Sequence, residues 1–173
     1  MAAYVFKGDG HALPYDSPGM ILRKRLDIPD LVANGGLALA ATPNTAKALP
    51  STGFAATDTL ELFRVPKGTV VRAVGGYVVT GEGATCTIDI GIKTATETAA
   101  LALDVDGFGD GENIETAGNY FGTLTGDAFG DTAYLGETWI TDGAVSILFM
   151  NASTETAVVD FWAEAYWAAA IAA

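Results

Sequence analysis

Side chains able to run a reaction are few in this sequence, and none sits in a pattern that a reaction needs. The single histidine, His11, cannot build a His-based metal site alone. It has no Ser or Cys nucleophile beside it in a recognisable motif, so it reads as an ordinary surface residue. The single cysteine, Cys86, has no partner for an internal disulfide. A reactive thiol needs an electropositive neighbourhood. Thr85, Thr87 and Asp89 supply none, and Cys86 reads as a small buried hydrophobe. The window Asp104–Glu115 (DVDGFGDGENIE) puts carboxylates at its positions 1, 3, 7, 9 and 12 and Gly109 at position 6. That is a partial match to a calcium loop, whose oxygens converge on a hard cation. Phe108 offers no oxygen at position 5, and Gly111 stands at position 8 where an apolar residue packs. The window is therefore expected to be an acidic turn between strands, pinned by Phe108, with a structural calcium as the competing reading.

Other chemistries leave less trace. Paired carboxylates for glycoside hydrolysis need only spatial closeness, but a chain with 21 acidic residues contains close pairs in any case. No phosphate loop, dinucleotide fingerprint or zinc spacing is present. No catalytic residue, cofactor, metal ion or small-molecule substrate is assigned, and the chain is expected not to be an enzyme. Trp139, Trp162 and Trp167 suit either a sugar-stacking platform or packing against a neighbouring subunit. Subunit packing is the preferred use.

The elements that must position these residues are strands. From Thr57 onward only Pro66 interrupts the chain, and glycines punctuate it at short intervals. Strands are expected at Thr59–Val65, Thr69–Thr80, Ala84–Ile92, Asn119–Thr125, Glu137–Thr141, Ala144–Met150 and Thr156–Trp167. In the second, Val71, Ala73, Tyr77 and Val79 are expected near one face. In the third, Cys86, Ile88, Ile90 and Ile92 point one way. In the last, Val159, Phe161, Ala163, Ala165 and Trp167 share the inner face, leaving Asp160, Trp162, Glu164 and Tyr166 on the other. Several strands separated by turns indicate a sandwich or barrel.

The first third differs. Pro14, Pro18, Pro29, Pro43 and Pro50 fall there. Proline removes a donor and fixes φ, so a regular sheet or long helix is not expected. Residues 1–56 read as an extended N-terminal arm with short local elements near 28–33 and 36–41, and residues 57–173 as the β-sandwich domain. An arm of that length makes sense laid against another protein.

Bulk properties exclude several partners. A net charge of −12 and a pI near 4.2 repel phosphate backbones and anionic membranes, so neither nucleic acid nor membrane is expected as a partner. Met1–Gly10 shows no basic region followed by an apolar run, so no signal peptide is read there. Only nine residues are basic, yet Arg23, Lys24 and Arg25 stand together.

Four stretches together resemble capsid cement, or decoration, proteins of tailed bacteriophages. They are MILRKRLDIP (Met20–Pro29), ATDTLELFRVPKGTV (Ala56–Val70), GATCTIDIG (Gly83–Gly91) and DVDGF (Asp104–Phe108), with a closing strand at Val158–Tyr166. The resemblance implies an all-β, jelly-roll-like antiparallel sandwich. It also implies a structural role: a protein made in the host cytoplasm, placed on the outer capsid surface of the virion, often as a homotrimer, bridging neighbouring major capsid proteins. On that reading Leu22, Leu26 and Ile28 are the arm's apolar anchors, and Arg23, Lys24 and Arg25 pair with acidic groups on the shell. Trp162 and Tyr166 add an aromatic contact. Deleting residues 1–35 is then expected to leave the β-domain folded and abolish shell binding. The alternative is a carbohydrate- or receptor-binding sandwich of a tail or head fibre.

Overall fold

The computed structural model describes residues 3–6, 20–39, 42–94, 104–122, 143–151 and 154–167. His11, Trp139 and the strand expected at 137–141 lie outside them. The elements are β1 (Ala3–Phe6), β2 (Met20–Asp27), α1 (Ile28–Asn34), β3 (Leu37–Leu39), β4 (Thr42–Lys47), β5 (Thr59–Val65), β6 (Thr69–Thr80), β7 (Thr87–Thr94), β8 (Asp104–Asn113), β9 (Tyr120–Gly122), β10 (Gly143–Phe149) and β11 (Val158–Trp167).

Eight of these strands nest in pairs. β2 pairs with β11, β5 with β10, β6 with β9 and β7 with β8, every pair antiparallel. The first meets the last, the second meets the second-last, and so inward. A ribbon of four nested pairs, rolled over, makes two sheets, β2-β11-β6-β9 and β5-β10-β7-β8. That connectivity is a jelly roll. β1, β3 and β4 extend the second sheet to seven strands, with β1 parallel to β5.

The two inner faces form the core. Leu26, Val74, Val78, Val159 and Ala163 from one sheet face Leu60, Ile88, Ile90, Val145 and Ile147 from the other, all essentially inaccessible. Phe54 stacks on Phe149 at 4.1 Å, and Phe121 meets Phe161 edge-on at 5.8 Å. Rings placed this way add attraction beyond the area they bury.

The stretch expected as an arm is, over its described part, built into this sandwich. β2 is the first jelly-roll strand, and Leu26, Ile28, Leu31, Leu37, Leu49 and Phe54 all lie in the core. The three described prolines of this stretch permit it because each sits where its missing N–H costs little. Pro29 occupies the first turn of α1, Pro43 lies in β4 at the sheet edge, and the Pro50 carbonyl accepts from Gly53 N in a turn. α1 starts at Asp27, whose side chain accepts from Asp30 N at 3.1 Å. It stops at Gly35, which has φ +76° and donates to the Leu31 carbonyl.

Two other expectations change. Bulges in β6 against β11 fall at Arg72 and Val79. Each extra residue flips the alternation. Val71 therefore pairs with inward Ala165, whereas Ala73 and Tyr77 pair with outward Glu164 and Asp160. The expected acidic turn at Asp104–Glu115 is mostly strand β8, bulged against β7. A strand sends side chains to alternate faces along about 3.4 Å per residue, so these carboxylates do not converge as in a calcium loop. Among the described residues no group of three or more His, Cys, Asp or Glu side chains is arranged to hold a metal ion.

Candidate interaction face

The outer face of the four-stranded sheet gathers the side chains of interest, and the strand registers set their order. Moving from β9 to β2, one row reads Tyr120, Tyr77, Asp160, Arg25. The next reads Gly122, Gly75, Trp162, Arg23, and the third reads Ala73, Glu164, Ile21. Tyr166, beside Val70, begins a fourth. Rows on one face repeat every second residue, about 7 Å apart.

Aromatic side chains dominate the β9–β6 side. Tyr77 and Tyr120 lie ring to ring at 4.5 Å. Beside them the indole of Trp162 crosses β6 over Gly75. A Cβ on Gly75 would stand 2.6 Å from the ring, and one on Gly122 would stand 2.7 Å from Gly75 Cα. The neighbouring glycine, Gly76, performs the same service on the inner side, where the Phe121 ring lies against it. Consecutive glycines thus let a ring lie flat on each face of one strand.

Charge dominates the β11–β2 side. Arg25 Nε stands 3.5 Å from Asp160 Oδ1, and Arg72 Nη1 stands 3.3 Å from Glu164 Oε1. All four side chains are well exposed, so each pair is worth little to stability. Arg23 is exposed and makes no ion pair with a described residue. Next to it on β2, Ile21 is 61% exposed. Tyr120, at the opposite margin, is 66% exposed.

The residues singled out in the sequence therefore divide. Arg23, Arg25, Trp162 and Tyr166 share the outer face. Leu22 and Lys24 lie across from inward Ala163 and Phe161, both half-buried, and burial holds the Lys24 ammonium below its ordinary pKa. Leu26 and Ile28 are fully buried. As core residues they are not free to anchor a partner. Tyr77, Tyr120, Ile21 and Arg72 belong to the face and were missed. Gly75-Gly76 inside an otherwise continuous strand is the sequence signal that a ring lies there.

Carboxylates elsewhere hold backbone in place. The Glu82 side chain accepts from the N–H groups of Glu155, Thr156 and Ala157, each at 2.9 Å, fixing the approach to β11. Asp89 is 4% exposed and accepts from Gly111 N at 2.9 Å, at the bulge of β8. Burial pushes its pKa up, the Gly111 hydrogen bond opposes this, and Asp110 and Asp106 add to the rise. Cys86 is buried with Sγ 3.2 Å from Thr154 Oγ1. Burial also raises the thiol pKa, which suits packing and not nucleophilic attack.

No protein-family model and no curated protein matches the chain. Among solved structures, a chain of the capsid of Ralstonia phage GP4 aligns over 94% of this chain and 97% of its own, with a TM-score of 0.55 and 16% identity. A chain of the acidic stable capsid structure of Helicobacter pylori bacteriophage KHP30 aligns over 86% and 87%, with a TM-score of 0.39 and 15% identity. The first likeness is one of fold.

Proposed function

We propose that this chain is a non-catalytic structural protein of a phage virion that binds the outer capsid surface and stabilises the shell by bridging neighbouring major capsid proteins. The observation that carries the reading is the outer face of the four-stranded sheet. Trp162, three tyrosines and three arginines share it, and Ile21 and Tyr120 leave apolar surface in water. Trp, Tyr and Arg are the residues enriched where protein interfaces concentrate their energy. Exposed apolar surface rimmed by charge marks a site of association. The shared fold with a chain of the GP4 capsid, matched over nearly the full length of both, supports the virion setting.

On this reading the mechanism is burial of surface at many equivalent positions, with a homotrimer as the working unit and synthesis in the host cytoplasm. The strong negative charge keeps free copies apart until they dock. Quantitative mass spectrometry of purified particles tests the reading through the copy number of this chain relative to the major capsid protein. A comparable number is expected. A few copies per particle would place the chain at a vertex or tail, and absence from the particle would end the virion reading.

A further inference from the structure

We propose that the outer face docks onto an acidic patch of the shell, with Arg23 as the cation that receives the partner's carboxylate and Ile21 and Trp162 as its apolar flanks. The proposal rests on the shell-binding reading above and adds the chemistry of the surface that is bound. Three arginines project from this face. Arg25 is engaged by Asp160 and Arg72 by Glu164, both within the chain. Lys24, the third member of the basic triplet, is on the inward side of β2. Of these three arginines, Arg23 is the one without a carboxylate partner among the described residues, in a molecule whose net charge is −12.

Its neighbours define what the partner presents. Ile21 is two residues away on the same strand, hence about 7 Å along it, and is largely in water. Trp162 is directly across in register on β11. A guanidinium between an exposed isoleucine and an indole fits a carboxylate set beside apolar side chains. Covering it would strip water from the pair and strengthen the attraction. The rest of the strongly acidic chain would repel an acidic shell at long range, so salt that screens repulsion also screens the Arg23 contact. The Arg23 term is isolated by comparing variants at one ionic strength.

The test measures binding of the full-length protein to shells of the encoding virus assembled without it. Arg23→Glu and Arg23→Ala are compared with Arg23→Lys and with Arg64→Glu and Arg64→Ala, which make the same charge changes on the other sheet. Wild type is expected to bind. Arg23→Glu is expected to lose at least about tenfold in affinity, Arg23→Lys to retain most of it, and the Arg64 variants to match wild type. Arg23 is exposed, so circular dichroism and melting temperature should be unchanged across the set. Wild-type binding that survives Arg23→Glu undiminished would overturn the proposal and leave the shell-binding reading standing. Failure of wild type to bind would overturn both. Titration with oligogalacturonate, followed by tryptophan fluorescence, supplies the last arm. Binding that is lost in both Trp162→Ala and Arg23→Ala would make the face a site for acidic sugars and overturn the proposal.

Discussion

Single residues here act mostly through what they deny or supply to the backbone. Asp89 is buried beside Asp106 and Asp110, with its pKa raised chiefly by burial. A raised folded-state pKa means that the folded protein binds the proton more tightly than the unfolded chain does. Asp89 therefore adds stability below its unfolded pKa, and that contribution disappears as pH rises through the folded value. Asp89→Asn keeps an acceptor for Gly111 N and removes the charge. The variant is expected to melt above wild type at pH 7 to 8, with the gap closing as pH falls into the carboxylate range, as thermal melts across pH will show. Gly75→Ala drives a methyl into the Trp162 indole. It should cost about 1–3 kcal/mol and displace the indole, seen as a change in tryptophan emission and in the denaturant midpoint. Glu82→Ala leaves three N–H groups ahead of β11 without their acceptor. A loss of roughly 1–3 kcal/mol is expected, with faster hydrogen exchange at Glu155–Ala157.

At the scale of elements, the N-terminal third decides how the molecule can be cut. Deleting residues 1–35 removes β1, β2 and α1, strips the β11 edge of its partner and takes Leu26, Ile28 and Leu31 from the core. Far from leaving a folded β-domain, that truncation should lose cooperative unfolding in a thermal scan. β5 and β6 were legible because the apolar residues and the Pro66–Gly68 turn mark where each begins and ends, and β10 and β11 because their apolar residues recur at every second position. The early strands were not legible. In β2 Lys24 takes the inward position between Leu22 and Leu26, and with outward Arg23 and Arg25 beside it the segment reads as a basic cluster instead of a strand. The prolines weigh against a sheet unless it is known that Pro43 lies at an edge. β8 was missed for a related reason. Its glycines and aspartates carry turn propensity, which pairing to β7 overrides through bulges. Half of the interaction face was visible, because Trp162 and Tyr166 follow from parity alone. The other half depends on which strands lie beside β11, and nothing local encodes that.

The whole molecule carries a net charge of −12 yet gathers three arginines on one sheet face, and the jelly-roll order sets which residues meet there. Nesting pairs the earliest roll strand with the last, so residues distant in sequence supply one surface. Arg23 and Trp162 are neighbours only after the entire ribbon has closed. Contacts of such high sequence separation are slow to form, because chain entropy is lost before they give any return. Refolding is therefore expected on the millisecond-to-second scale, with recovery of tryptophan emission lagging the early gain of strand signal in stopped-flow measurements. The β2–β11 seam also has a consequence during synthesis. While the ribosome holds β11, β2 displays its arginines with no indole beside them, and the proposed docking face is not yet formed. On the shell-binding proposal, competence to join a particle is thus switched on late, and a copy that stops before β11 is left without the means to take a seat in it.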